Sequence, residues 1–572
     1  MSINFATSLV QLYESSGLEM NVHLAFKEKS TRQEQKIITL SKYIQKYPEG
    51  WKKRLELANL LYDMGDWQQA VAEYHQVLER QPQLVGVRLQ LGKMLQIMRR
   101  EKEAVEIYEK ALFCFDNEAT QHHIKGLMAV CRHESQKAII AFNLATRLEP
   151  DKIVHWLALA QVHQQIENHL GVLSALEQVL SIHPDDVVGL IYSHDASQAV
   201  GDMIAARGQL SKLIALVPDD FRVLQRLIEQ RCQMRLVSGI EGKLTKKMIT
   251  SLLLQAPHGA EAHQYLAYYH IFRGDWRQGV EVLAEFTAKH PHHPYGWYYY
   301  GRCLFDTGEY QKAGQMMGKA YQLYPDDCAI HQALCEILPF DPPQPPLIKG
   351  ENSIKVPLFK GDLGGSPPNI NEANKVSKHA LATLLGGEGN VVEEMLRRFP
   401  ERWSVWATAG RVLVEHFKEF ERGCSVSEQG TKLQPQLADA WFRHGRVLAL
   451  ALKHREAVEA LEKGWELLPA GAYLQLVPAA VWLGESYRVI GDVGASQRWW
   501  KLAGEGCQKL RAFNPAMADY WLGRALVGLR DKLGAIQAFE SALSQQLLYP
   551  ARGEVEKSLG RLKGKGRKIS RG

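Results

Sequence analysis

Apolar residues along this chain fall at helical spacing. In residues 54–64, Leu57, Ala58 and Leu61 share one stripe with Arg54. Gly65-Asp66-Trp67 then reads as a helix stop followed by a new start. Residues 67–80 place Ala70, Tyr74, Val77 and Leu78 on a second stripe, and Pro82 ends it. The small residues Ala58 and Ala70 allow two helices to approach, and Tyr74 fills the space beyond them. The spacing predicts a helix–turn–helix unit that cannot bury both of its faces alone.

The same unit recurs. Pro82, Asp116, Pro150, Pro184 and Pro218 stand 34 residues apart. Ala70, Ala104, Ala138, Val172 and Ala206 keep that step, as do Tyr74, Tyr108, Phe142, Leu176 and Leu210. A fixed period of this length marks a solenoid, in which stacked neighbours bury the faces a single unit leaves open. No segment switches to strand periodicity, so the expected fold class is all-α.

These units resemble tetratricopeptide repeats. The best match runs through Trp297, Gly301, Leu304, Gly308, Tyr310, Ala313, Ala320 and Pro325. Others run through Trp441, Gly445, Ala457, Leu461 and Pro469, and through Leu483, Gly484, Tyr487, Gly491 and Asp492. The resemblance covers about residues 50–550. It implies a right-handed superhelical solenoid of about twelve helix–turn–helix repeats, whose concave groove holds a protein or peptide partner and catalyses nothing.

The register slips in places. Pro218 to Pro257 is a step of 39, the helix around 240–255 fits the pattern poorly, and Pro469 to Pro515 is a step of 46. The expected organisation is an N-terminal cap and half repeat (1–50), a first array (51–338), a Pro/Gly-rich insertion (339–371), a second array (372–550) and a basic disordered tail (551–572). The insertion breaks a repeat whose first helix spans about 328–338. It reads as a proline-rich docking segment or as a surface insertion without a role. Its PPLIKG…KVPLFKGDLGGSPP resembles the translation of a short dispersed repeat of cyanobacterial genomes.

Charge changes the picture only at the end of the chain. Lysine and arginine total 69 against 63 acidic residues, a formal +6. Residues 551–572 carry all of that excess: Arg552, Lys557, Arg561, Lys563, Lys565, Arg567, Lys568 and Arg571 against Glu554 and Glu556. Such a tail could contact phosphate backbones or an anionic membrane surface, or simply aid solubility. With no aromatic residues interleaved, it lacks the means to read a nucleic-acid sequence.

The eight cysteines are scattered and form no CxxC pair, which argues against zinc or a disulfide framework. Reduced thiols suit a cytoplasmic location. The N-terminus lacks the basic and apolar regions of a secretory signal, and no run is apolar enough to span a bilayer.

Catalytic motifs are missing. There is no GxxxxGK[ST], GxSxG, HExxH or strand-linked GxGxxG, so no catalytic residue, cofactor or metal site is expected. Gly386-Gly387-Glu388-Gly389 reads as a loop. His290, His292 and His293 allow a metal reading, but Pro291 and Pro294 mark a turn. His122 and His123 share a helix and point different ways. The thirteen tryptophans mostly fall near packing positions.

One constellation stands apart from packing. Gly301-Arg302-Cys303-Leu304, Gly410-Arg411-Val412-Leu413, Gly445-Arg446-Val447-Leu448 and Gly523-Arg524-Ala525-Leu526 repeat an arginine between two packing positions. In the repeat family that position faces the groove. Tyr298, Phe442 and Tyr520 stand four residues earlier, with Ala407 as the exception. Spacing of four allows cation–π stacking, and arginine grips carboxylates with a two-pronged fork. Tyr265, Tyr268, Tyr295 and Tyr299 lie nearby in sequence. Tyr298, Arg302, Arg411, Phe442, Arg446, Tyr520 and Arg524 are therefore the candidate contacts for an acidic or aromatic peptide. A structural alternative pairs the arginines with Glu415 or Asp439, and Glu485 interrupts the row. The family's chaperone-tail clamp is poorly matched: Asn59 fits, but Leu55 and Gln90 stand where lysine and asparagine belong. A nucleic-acid partner held by the tail is the alternative function.

Overall fold

The computed structural model describes residues 35–63, 67–98, 100–113, 117–256, 259–337 and 388–564, whose regular elements are all helices. The chain divides into two compact units, Met1–Arg226 and Leu227–Gly572. Unit 1 contains α1 (35–46), α2 (Trp51–Asp63), α3 (Trp67–Arg80), α4 (Val85–Ile97), α5 (Glu101–Leu112), α6 (Glu118–Cys131), α7 (Ser135–Leu148), α8 (Ile153–Gln165), α9 (His169–Ile182), α10 (Val187–Val200), α11 (Met203–Leu216) and the start of α12 (Phe221–Gln233). Unit 2 continues with α13 (Gly239–Gln255), α14 (Ala260–Phe272), α15 (Trp276–Lys289), α16 (Pro294–Asp306), α17 (Tyr310–Leu323), α18 (Cys328–Ile337), α19 (Glu388–Arg398) and α20 (Trp403–Val412). It ends with α21 (Phe420–Leu433), α22 (Ala438–Leu450), α23 (His454–Glu466), α24 (Tyr473–Ile490), α25 (Val493–Leu510), α26 (Pro515–Gly528), α27 (Lys532–Ser544) and α28 (Ala551–Leu562).

Several hairpins lock by the same contact. A small residue on the first helix receives a large one sixteen positions later on the second. Gly92 meets Tyr108, Gly126 meets Phe142, Gly484 meets Trp500 and Gly523 meets Phe539. A Cβ added at Gly523 would lie 2.4 Å from the Phe539 ring. Tyr74, Tyr108 and Phe142, one of the 34-residue rows, are at most 1 % exposed. The turn inside a hairpin also recurs: Gly201 at φ +91° ends α10, and the Asp202 side chain caps α11 at the Ala205 amide, 2.9 Å away. Gly274-Asp275 and Gly491-Asp492 do the same before α15 and α25.

Between hairpins, a third device repeats. The indoles of Trp156, Trp297, Trp406 and Trp441 each donate to the carbonyl of the proline six residues earlier, at 2.8–2.9 Å. Arg88 and His331 bond Pro82 and Pro325 in the same way. These side chains tie the entry of one hairpin to the exit of the last, which accounts for the persistence of both proline and tryptophan in the period.

The steps of 39 and 46 coincide with long helices, α13 at 17 residues and α24 and α25 at 18 each. After α12 the 17-residue α13 is held by Arg231, which donates to Thr245 at 2.9 Å and to Glu241 at 2.5 Å. In α20 the last turn passes into a π-turn at Leu413–Phe417 before Lys418 takes φ +61°. The proline-rich insertion lies outside the described residues. It falls between α18 and α19, the two helices of a single repeat, which pack on each other.

The expected disordered tail needs correction. Residues 551–562 form α28, with Val555 at 0 % and Leu559 at 8 % exposure in the same apolar cluster as Trp521 and Phe539. Their spacing of four makes an apolar stripe that the count of basic residues hides. Arg552 pairs with Glu556 and Lys563 with Glu540. Residues 565–572 lie outside the described residues.

Unit 2 returns to its own beginning. The link between α27 and α28 lies against the turns of the unit's first hairpins. Arg235 Nε donates to the Gln545 carbonyl at 3.0 Å, Trp276 Nε1 donates to Gln546 Oε1 at 2.8 Å, and the Tyr549 amide donates to the Asp306 carbonyl at 3.0 Å. Leu548 joins the apolar cluster of Ala267, Ile271 and Leu283, and Arg552 lies 5.0 Å from the Trp276 ring. The hairpins of unit 2 thus run through a closed circuit.

Candidate functional site

The first helices of unit 2 carry one polar column. It consists of the residue following the close-packed position of each hairpin: Tyr268, Arg302, Glu336, Arg411, Arg446, Glu485 and Arg524. The four arginines are those expected from sequence. Two members were missed as part of the pattern. Glu336 follows Cys335 instead of a glycine, although it stands 34 residues after Arg302. Glu485 had read as an interruption of the row and is instead shared by its neighbours.

The column is built from two Arg–Glu–Arg groups. In the first, Glu336 accepts from Arg302 at 3.3 Å and from Arg411 at 2.8 Å, and Arg411 also bonds Glu415 at 3.0 Å. In the second, Glu485 accepts from Arg524 at 2.5 Å, while Arg446 stands 3.8 Å away. A carboxylate between two guanidinium groups offsets part of the cost of enclosing them in protein. Asp439 serves Arg443 rather than the column.

Beside the first group lies a cavity of about 430 Å³, lined among others by Tyr268, Tyr298, Arg302, Asp306, Gln332 and Glu336. Tyr268 donates to the Asp306 carboxylate at its base. Burial raises the Asp306 carboxyl above its usual range, with Glu336 adding to the effect and Arg302 opposing it. Burial and the Asp306 charge push the Tyr268 hydroxyl well up. Gln332 donates to Ser404 at 2.7 Å across the cavity wall, joining α18 to α20 on either side of the insertion.

The expected aromatic partners do not all sit as the four-residue spacing suggests. Tyr298 lines the cavity and packs edge-on to Tyr299 at 5.2 Å. Phe442 is 1 % exposed, with its ring against Gly464 in the hairpin interior, and it does not face the groove. Tyr520 is 5 % exposed, accepts from Arg524 at 3.2 Å and donates to Glu554 of α28 at 2.6 Å. Arg524 lies 5.8 Å from the Tyr520 ring and closer, at 4.9 Å, to Trp521. Arg446 lies over Trp482 at 5.6 Å and Arg302 over Phe305 at 5.6 Å. The rings under the arginines are thus mostly neighbours on other spacings, which a fixed four-residue rule misses.

Other candidates are placed as structural residues. His293 caps α16 at the Gly296 amide, 3.2 Å away. Among the described residues, no group of three histidine, cysteine or acidic side chains is arranged to hold a metal. Asn59 accepts from the Tyr74 hydroxyl at 2.7 Å. In unit 1, His123 and His155 form a buried pair at 3.0 Å, backed by Glu149 at 3.2 Å from His155.

The described residues form an array of helical hairpins, and two of its segments match a known repeat family. Residues 55–119 and 265–327 match the tetratricopeptide repeat family, one segment in each unit. No curated protein matches the chain. Among solved structures, it is similar to a chain of the APC/C hetero-tetramer Cut9–Hcn1 at 11 % identity, covering 97 % of this chain and 98 % of that one, with a TM-score of 0.41. It is similar to YrrB, described as a TPR protein with an unusual peptide-binding site, at 19 % identity over 33 % of this chain and 97 % of that one, TM-score 0.21. A MamA structure is similar at 23 % identity over 29 % of this chain and 91 % of that one, TM-score 0.22. Among the described residues, no helix is long and apolar enough to cross a membrane.

Proposed function

We propose that this protein is a non-catalytic interaction scaffold whose second unit holds a peptide or protein segment against the polar column. The observation that carries the reading is the column itself. It recurs at a position that hairpin packing does not use, and it borders a 430 Å³ cavity with tyrosine, glutamine and arginine side chains. Packing alone requires none of these polar residues. Tyr298, Arg302, Arg411, Arg446 and Arg524 are the proposed contacts, and the buried Tyr520 and Phe442 support them from within. The seven described cysteines are buried and form no disulfide among the described residues, in keeping with a reducing compartment such as the cytoplasm.

Binding to nucleic acid through the C-terminus has less support. Arg552 and Lys563 are already paired with carboxylates of α28 and α27. The test is an array of immobilised peptides, acidic, neutral and basic, beside spots of single- and double-stranded DNA, probed with the whole chain and with Arg302→Gln/Arg411→Gln. Selective capture of a peptide set that the double variant loses supports the scaffold reading. Capture of nucleic acid alone, abolished by moderate salt, overturns it.

A further inference from the structure

The two Arg–Glu–Arg groups are alike in sequence and unlike in charge balance. In the first, two guanidiniums face two carboxylates, Glu336 and Glu415, and every arginine has a hydrogen-bonded partner. In the second, Arg446 and Arg524 share Glu485, and Arg524 takes it at 2.5 Å. Glu554 lies on the Arg524 side, bonded to Tyr520. Arg446 is left with a 3.8 Å approach to Glu485, and among the described residues it donates no hydrogen bond. Its side chain keeps 28 % exposure, so its fork remains reachable from the groove. Beneath it Trp482 presents an indole N–H that is buried without a partner among the described residues. Trp482 packs edge-on to Trp521 at 5.8 Å, which lies under Arg524.

From this asymmetry we infer that Arg446, backed by Trp482 and Arg524, is the carboxylate-binding position of the groove, taking an aspartate or glutamate side chain of the partner segment. The inference rests on the scaffold reading. Arginine held beside an indole loses little freedom on forming a two-pronged contact with a carboxylate. A partner carboxylate here would supply the second acceptor that the first group already has in Glu415. The first group, self-neutral and beside the cavity, takes uncharged hydrogen-bonding or aromatic side chains instead. Burial and then the neighbouring Arg524 charge lower the Arg446 proton affinity, with Glu485 and Glu415 opposing them.

The test uses fluorescein-labelled hexaglutamate and hexaglutamine with the full chain, read by anisotropy at low and physiological salt. The expected result is binding of hexaglutamate alone, weakened at least tenfold by Arg446→Gln and less by Arg446→Lys. Arg277→Gln, a charge loss on α15 at an arginine paired with Glu281 and outside the column, should leave it within about twofold. Helix content by circular dichroism confirms that each variant folds. Equal loss in the Arg446 and Arg277 variants would make binding a response to net charge and overturn the assignment. Undiminished binding in Arg446→Gln would assign hexaglutamate to the basic C-terminal residues, and would also overturn it. If hexaglutamate fails to bind while neutral peptides of the array do, the carboxylate position falls and the scaffold reading stands.

Discussion

At the scale of single residues, the interior is governed by the pairing of a missing side chain with a large one. Gly523→Ala puts a methyl group into the Phe539 ring and should destabilise the last hairpin by about 1–3 kcal/mol. Combining it with Phe539→Leu should recover part of that loss, as read by urea denaturation. The buried histidines add a pH dependence. Burial, with His155 nearby, lowers His123 from 6.5 to about 4. A proton therefore binds the unfolded chain first. Stability is complete above about pH 6.5 and is lost as the pH falls towards 4, by roughly 3 kcal/mol for a shift of this size. His194, His331 and His444 are lowered in the same direction by burial. The contribution of His123 is thus the difference in slope between the wild type and His123→Gln, the variant being flatter.

At the scale of elements, the hairpin was legible because its signals are local. Small residue, large residue, glycine stop and aspartate cap all lie within one period, and each performs in the structure the task its spacing suggests. The proline and tryptophan rows were visible separately, but not their joining. Only coordinates reveal an indole bonded to a carbonyl six residues back. Trp441→Phe keeps the ring and removes the bond to Pro435, so it should cost about 0.5–1.5 kcal/mol and loosen the entry of α22. Hydrogen exchange at residues 436–442 would register it. The candidate site was half legible. The arginines could be found because glycine precedes each of them. Glu336 was hidden by Cys335, and Phe442 shared the spacing of Tyr298 and Tyr520 while turning into the hairpin. The direction of a side chain on a helix depends on which face its neighbours cover, and a spacing of four does not specify that. α28 escaped for a related reason: Val555 and Leu559 are few beside the eight cations of residues 551–572, but they are spaced to pack.

At the scale of the molecule, contacts between residues roughly 240 to 310 apart were beyond any repeat pattern. They follow from the summed rotation of many hairpins, which no single period records. In an open array the terminal repeats are the least protected, because each has one neighbour. Unit 2 escapes that rule where residues 545–552 meet the turns at Arg235, Trp276 and Asp306. Amide exchange in α26 and α27 should therefore be as slow as in α22 and α23. Trp276→Ala, which removes the bond to Gln546 and the contact with Arg552, should speed exchange in α26–α28 with little change in α20–α23. Equal rates in the variant and the wild type would show that the return contact contributes nothing.

Fastening also changes how the second unit bears load. A row of hairpins with free ends behaves like a spring, since each can tilt on the next at small cost and the tilts add. Tied end to end, the same row becomes a hoop. Tension applied to its wall is shared around the whole circumference, and it cannot lengthen until the knot at Gln545–Arg552 gives way. A cargo pulling on the column would then meet stiffness followed by sudden release, where an untied row would simply stretch.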